Sequence, residues 1–523
     1  MKRLFRGLGR APDATYDAVV IGAGIGGLVT ANLLARDGLK VLLVEQHYMV
    51  GGYCSTFRRA GYTFDAATHF YPLLGSPETL TGRLLADLGV KTGWVKMDPV
   101  DTFHFPDDTR FTVPADFDSY LAKLKAAFPA EAAALDAFFA TVREVYLLGL
   151  LHYFRGRPLS QLDRLVPYLA LTVHEALDRW FRDPKLKLLL TADCPHWGSP
   201  PSRTSFVFDC MLRLSYFLGN YYPRGGSQAF ADDLARCFEE RGGHVLTSTA
   251  ARHILVEDGI EGGTARGVEL EVLRGSAPRC GSVFTVRSGV VVSNSDLLFT
   301  LENLLGPAHV APAEIAAVRS LRPSFPCFLI HIGTIGIPDS VLQEAQGYYW
   351  DSWTMDRVGL DALRFKIFSS TLYDPSLAPP GGQIVIVQKV LEMDYAATAD
   401  WPAHKRRIED FALAHLERLI PGFSERIVVK TSASARTAWR FTRNHQGAML
   451  GWEMSPEQLG NSRPDVMSKI RNLYCVGHWT RPGGGVTPVI VSAQQVAAAV
   501  VRGDLAHPAG KTEEICSPTI VMS

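Results

Sequence analysis

Asp17-Ala-Val-Val-Ile-Gly22-Ala-Gly24-Ile-Gly26-Gly27, continued by Leu28-Val-Thr-Ala-Asn-Leu-Leu-Ala-Arg-Asp-Gly38 and Leu39-Lys-Val-Leu-Leu-Val-Glu45, decides the fold. Ala18 to Ile21 reads as a buried strand and the glycines as a turn. An apolar helix follows, then a second buried strand that closes on an acid. Gly22 permits the tight turn, Gly24 lets the backbone approach a pyrophosphate, and Gly27 lets the helix pack close to the sheet. The helix N-terminus then faces the phosphates, and Glu45 offers a carboxylate to both ribose hydroxyls of an adenosine. A lone Gly-x-Gly-x-x-Gly is weak evidence, but here strand, turn, helix, strand and acid fall in the required order. Beyond Glu45 the chain runs Gln46-His-Tyr-Met-Val-Gly51-Gly52, and a second glycine pair just past the ribose acid points to FAD rather than NAD.

Working outward, 523 residues are too many for one small core and predict two or more domains with capacity to bury a cofactor. Lys+Arg and Asp+Glu are both 53, so the net charge is zero and no nucleic acid or other polyanion is indicated as a partner. Eight cysteines (Cys54, Cys194, Cys210, Cys237, Cys280, Cys327, Cys475, Cys516) are scattered without Cys-x-x-Cys or zinc spacing. They read as buried thiols of a reducing, cytoplasmic compartment, with no metal site. The opening Met1 to Arg10 is basic, but no apolar run follows it before the first strand, so it reads as a flexible arm rather than a secretory leader. Residues 1–14 and 504–523 are expected to be tails.

From Tyr53 the chain leaves the nucleotide motif as Tyr-Cys-Ser-Thr56-Phe57-Arg-Arg-Ala-Gly61-Tyr-Thr-Phe64-Asp65-Ala-Ala-Thr-His69-Phe70. His69 is the titratable group of chemical interest there, a candidate for catalysis or for orienting a substrate. The glycine motif, Glu45-Gln46-His47, Gly51-Gly52, Thr56-Phe57, Gly61 and Phe64-Asp65 resemble the flavoproteins that include phytoene desaturase, carotenoid isomerase and retinol saturase. Glu-Gln-His, Gly-Gly-x-Cys and His69-Phe70 resemble the saturase branch most closely.

Near the C-terminus, Leu473-Tyr-Cys-Val-Gly477-His478-Trp-Thr-Arg-Pro-Gly483-Gly484-Gly485-Val486 reads as strand, glycine loop and the start of an apolar helix. Such a helix N-terminus directs N–H groups at the flavin pyrimidine ring. The stretch matches the family's second FAD motif, in which the residue after Gly477 is commonly acidic; His478 departs from it. The resemblance also implies a backbone contact from the loop around Ala251 to the adenine.

The fold expected is therefore α/β: a Rossmann-like FAD-binding domain of the glutathione-reductase type, with an inserted α+β substrate domain and a helical cap. The FAD domain is assembled from residues 15–90, 222–300 and 465–503, and the substrate domain from 91–221 and 301–464. Residues 142–181 are apolar and aromatic without reaching the ~20 residues of a membrane span. They read first as a buried cap over a cavity, and second as an apolar lip touching a membrane surface. The aromatic run Tyr348-Tyr-Trp350-Asp-Ser-Trp353 is weighed as core filling against the lining of a polyene tunnel.

The function implied is hydride exchange between a flavin and a long apolar polyene, a carotenoid or retinoid, leading to desaturation, saturation or cis/trans isomerisation. Two rivals remain open: a flavin amine oxidase of a polar substrate, and a non-enzymatic prenyl or lipid carrier on the same fold. The two complete glycine motifs argue against the carrier.

Overall fold

The computed structural model describes residues 12–191, 197–258, 263–274, 280–357, 359 and 364–503. The expected tail 504–523, the basic arm Met1 to Arg10, Cys194 and Cys516 lie outside these residues. Beside the first strand, Lys40 Nζ lies 2.9 Å from the Asp13 carboxylate, and the Ala14 carbonyl accepts a 3.0 Å bond from the Arg287 N–H.

Strand β1 (Thr15–Ile21) enters the glycine turn, helix α1 (Ile25–Arg36) leaves it, and strand β2 (Val41–Val44) returns beside β1. Both strands are nearly continuous apolar runs because both faces of the sheet are covered. Five strands run parallel, in the order His244–Leu246, β2, β1, Val283–Ser293, Leu473–Cys475. Val283–Ser293 is long enough to carry a second, antiparallel partnership through its first half with Thr264–Val272, which in turn pairs with Thr249–Glu257. On one face, α1 packs between Ser227–Glu240 and the C-terminal helix Val486–Arg502, so elements from three distant parts of the chain share one core.

A second sheet of seven strands is ordered Ile427–Ala433, Cys327–Ile335, Gly382–Val390, Arg364–Phe368, Gly347–Trp350, Asp101–His104, Arg110–Val113. The hairpin expected around Pro106-Asp107-Asp108 is present, with His104 opposite Arg110. Phe328, Ile330 and Ile332 face the amphipathic helix Trp401–Leu419, while the alternate positions Cys327, Leu329 and His331 face the cavity.

The cap is a separate apolar core of helices Phe117–Ala127, Ala132–Gly149, Val173–Trp180, Pro184–Leu190 and Phe206–Phe217. Ala132–Gly149 does not continue regularly; Leu150–Phe154 forms a wider π turn, which swings Leu150, Tyr153 and Phe154 toward the cavity. Leu147 stays 60 % exposed and Val166 50 %, so the apolar stretch is buried on one side only. No helix of the described residues is long and apolar enough to cross a membrane.

Of the two readings weighed for the aromatic run the structure bears out core filling, and the expectation of buried thiols fails at Cys280. Tyr348, Tyr349 and Trp350 are buried in packed core on a strand and take no part in the cavity wall. Cys280 is exposed, because it lies in the connection between the paired strands Thr264–Val272 and Val283–Ser293.

Candidate active site

One cavity of about 1460 Å³ runs from the glycine turn to the cap, larger than the ~300–1,000 Å³ of a cleft for a single ligand. Gly22, Gly24, Glu45, Gly51, Gly52, His69, Ala251, Gly477, His478, Gly485 and Val486 all line it. Gly27 does not. A Cβ there would sit 2.0 Å from the Gly22 carbonyl oxygen, so its place is to let α1 close against the turn.

Gly22 sits at φ +92°, with its N–H on the Val44 carbonyl at 2.7 Å. Gly24 and Gly51 form a bridge between the two glycine motifs, and the Gly51 N–H donates to the Ala23 carbonyl at 2.7 Å. The Glu45 carboxylate is folded into this turn, accepting the N–H groups of Ala23 and His47 at 2.8 Å each. Burial raises its pKa and those N–H bonds counter part of the rise.

Among the described residues three α-helices start from a glycine. Ser227–Glu240 starts after Gly226, and its first turn is closed by Asp65, whose carboxylate accepts the Ser227 N–H at 2.8 Å and the Tyr222 hydroxyl at 2.6 Å. α1 and Val486–Arg502 start from Gly24 and Gly485, with no acid in the first turn and no side chain of the described residues accepting from their first N–H groups. Both open on the same cavity. Helix N-termini left unsatisfied in this way are anion sites. The chain therefore fits an elongated anionic dinucleotide: a glycine cradle, a ribose-facing acid and two helix ends along one cavity.

Asn294 holds the cradle together, and its role escapes a reading of the motifs alone. It follows Val283–Ser293, whose last residue lies level with Ile21 on β1. Its side-chain amide donates to the Gly22 carbonyl at 3.3 Å, and its Oδ1 lies 2.9 Å from where a Cβ on Gly477 would be. The first and last glycine motifs thus close around one side chain. That Asn294 ends the strand beside β1 is the trace of this in the sequence.

His69 is buried, with Nδ1 donating to the Ala67 carbonyl at 3.1 Å and its ring stacked on Phe368 at 4.6 Å. Burial, then the charge of Lys366, pushes its pKa down to about 3. His478 is likewise pushed down to about 3 by burial and by Arg463. Its Nε2 lies 3.2 Å from Asn444 Oδ1, which also accepts the Trp479 indole N–H at 3.1 Å. Both imidazoles are therefore neutral near pH 7. Behind Phe70, Lys366 is buried against Asp101 at 2.5 Å, with its ammonium 4.6 Å from the Phe70 ring and 4.5 Å from that of Tyr348.

The cavity's far wall is apolar: Tyr146, Leu150, Tyr153 and Phe154 face Phe208 and Met211. The acids of the lining, Glu45, Asp232 and Glu271, stay with the nucleotide residues: Asp232 bonds Gln228, which reaches the Val50 carbonyl, and Glu271 pairs with Arg252.

Comparison with known proteins agrees with this geometry. The chain is 27% identical over 509 residues to a phytoene desaturase (neurosporene-forming) of Cereibacter sphaeroides, covering 92% of this chain and 93% of that protein. It is 25% identical over 519 residues to an all-trans-retinol 13,14-reductase of Macaca fascicularis, covering 90% and 82%. An oxidoreductase from Methanosarcina mazei superposes with a TM-score of 0.63 at 17% identity, over 92% of this chain and 99% of the other, a likeness of fold. The family model for flavin-containing amine oxidoreductases matches residues 25–501, from the first residue of α1 almost to the end of the last helix. The chain belongs to that family and is a flavin-dependent oxidoreductase.

Proposed function

We propose that the protein uses FAD to oxidise, reduce or isomerise a long apolar polyene, a carotenoid or retinoid. The observation that carries this reading is that two open helix N-termini and an apolar cap wall the same cavity. When bound, the flavin supplies hydride transfer at its ring. Gly22, Gly24 and the first turn of α1 would hold the pyrophosphate, Glu45 the adenosine ribose, and Ala251 the adenine edge by its backbone. Gly477 to Val486 would face the ring. His478, neutral where relatives commonly carry an acid, would meet the ribityl hydroxyls through an uncharged ring nitrogen.

The cap excludes water and takes the polyene by surface contact alone. His69 cannot move a proton readily near pH 7, since its conjugate acid forms only near pH 3; its part would be to orient the substrate as a neutral donor or acceptor. Among the described residues the lining acids sit with the nucleotide residues, and none of them is a charged anchor for an amine at the cap end. The cofactor half would be residues 15–90, 222–300 and 465–503, and the substrate half 91–221 and 301–464. In support, the five parallel strands all fall in the first set and the seven-stranded sheet in the second. Leu147 just before the cavity-lining turn of 150–154, Leu151 within it, and Val166 further along the same apolar stretch are exposed, which favours entry of substrate from a membrane surface by a cytoplasmic protein.

The test is expression in carotenoid-producing bacteria supplied with acyclic, cyclic and cis-configured precursors, with pigments separated by chromatography. A changed pigment profile with any precursor is expected. Unchanged profiles across all of them, from a protein carrying FAD, would remove the polyene assignment.

A further inference from the structure

Arg463 is 2 % exposed and sits immediately behind the C-terminal glycine loop. Its Nη2 donates to the carbonyls of His478 at 2.8 Å and Trp452 at 3.0 Å, and its Nη1 to those of Gln458 at 3.4 Å and Glu453 at 3.5 Å. Its Nε has no acceptor among the described residues. Among the described residues no carboxylate pairs with it. Glu453, whose carbonyl it touches, turns its own carboxylate to Arg203 at 2.9 Å and Arg322 at 3.2 Å. Arg213 and Lys366, also buried, each carry an aspartate, at 2.8 Å and 2.5 Å. A buried cation held only by carbonyl dipoles is costly, and an anion supplied from outside the chain relieves that cost.

The place of that anion follows from what Arg463 touches. A Cβ on Gly483 would lie 3.4 Å from its Cζ, and the Arg481 N–H donates to the Pro464 carbonyl at 2.9 Å, so the guanidinium is packed under the loop that starts Val486–Arg502. Pro482, Gly484 and Gly485 of that loop line the cavity, as do Leu459 and Met454, whose Sδ lies 2.9 Å from the same Cβ position on Gly483. Met454 and Leu459 belong to the cap's core, which sets Arg463 at the cap end rather than beside the Gly22–Gly27 cradle. The charge is felt at the cavity wall: after burial, Arg463 is what lowers the pKa of His478.

We propose that Arg463 is a positioning residue whose counter-charge is the flavin's own: it stabilises negative charge on the reduced ring, acting with the open first turn of Val486–Arg502. This rests on flavin binding and is independent of which substrate the cap receives. Arg463 does not touch reacting atoms; its field favours the reduced over the oxidised cofactor.

The test is the flavin reduction potential of purified holoprotein by dye equilibration, with flavin content and Tm measured alongside. Arg463→Gln is expected to lower the preference for reduced flavin at least tenfold, about 30 mV for a two-electron couple. Arg463→Lys, which keeps the charge, is expected to stay within threefold of wild type. Gln458→Glu is isosteric, and the Gln458 amide donates at 3.2 Å to the Glu453 carbonyl that Arg463 also reaches. It places a carboxylate's charge beside the carbonyl cage of the guanidinium, giving up the Gln458 amide bonds to the Glu453 and Arg322 carbonyls, a loss that Tm reports, and is expected to act in the same direction as Arg463→Gln. If Arg463→Gln holds no flavin, Gln458→Glu and Arg463→Lys decide. A wild-type potential in loaded Arg463→Gln, or in Gln458→Glu where the former cannot be loaded, overturns the proposal. Arg463→Lys shifting as far as Arg463→Gln overturns it too, and so does reduced flavin content at unchanged potential. A wild-type protein that takes up no flavin fails the cofactor reading itself, before any variant is compared.

Discussion

The two ends of the cavity are built by opposite means. At the nucleotide end the working groups are backbone: glycines without Cβ atoms, N–H groups of two helix starts, and one asparagine tying them together. At the cap end the backbone is closed within helices, and the wall is apolar side chains. A backbone site tolerates almost no added atom, whereas a side-chain wall can be reshaped residue by residue. One architecture can therefore keep a single cofactor while its substrate varies. A desaturase and a retinol reductase both matching this chain over most of its length is what that asymmetry leads one to expect.

The contrast can be broken at either end. Gly27→Ala would drive a methyl group to 2.0 Å from the Gly22 carbonyl oxygen, a clash with backbone that no rotamer relieves. Complete loss of bound flavin and a large fall in Tm are expected, read from the visible spectrum and a thermal melt. Leu177→Ala, at a fully buried position of the cap core, is expected to cost about 2–5 kcal/mol while leaving flavin stoichiometry unchanged. Denaturant melts with absorbance at the flavin bands check both halves, and loss of flavin there would erase the distinction between the two ends.

Leu212→Trp fills the cap end of the cavity without touching the glycine motifs. It should weaken binding of an apolar ligand by about 1–3 kcal/mol at unchanged FAD affinity, measured by perturbation of the flavin spectrum on titration. The smallest effect concerns pH. The unfolded chain takes up a proton on His69 near pH 6.5, which the folded site refuses until about pH 3. Its contribution is therefore intact above pH 6.5 and shrinks as pH falls toward 3. His69→Asn should flatten the fall of stability between pH 6.5 and 5 by up to about 1.4 kcal/mol per pH unit, and an unchanged slope would refute the neutral, buried histidine.

The nucleotide end was the more legible in sequence for the same reason that it is intolerant: only glycine suits those positions, so Gly22, Gly24, Gly51 and Gly485 leave a readable trace. Asn294 was less visible because its role depends on the register of Val283–Ser293 beside β1, 270 residues away in sequence, as the bond from Asn294 to Gly22 spans 272. Asp65 was legible as part of a resemblance but not as the acid that closes the start of Ser227–Glu240. At the cap the composition gave the class of lining and nothing finer, since Tyr146 in the wall and Tyr348 in the core are the same residue type on opposite sides of a packing boundary. The π turn at Leu150–Phe154 has no local marker, and it decides which of those side chains reach the cavity.

The chain order of the two open helices has a consequence for biosynthesis. α1 lies near the start of the polypeptide and Val486–Arg502 near its close, yet they pack directly against each other. At the ~5–20 residues per second of translation, the first leaves the ribosome roughly half a minute to a minute and a half before the second exists. For the first part of that interval the cradle lacks Asn294, the side chain that ties it together, and for all of it there is nothing to clasp the other end of the prosthetic group. A product that ends before Val486 is therefore expected to retain no flavin.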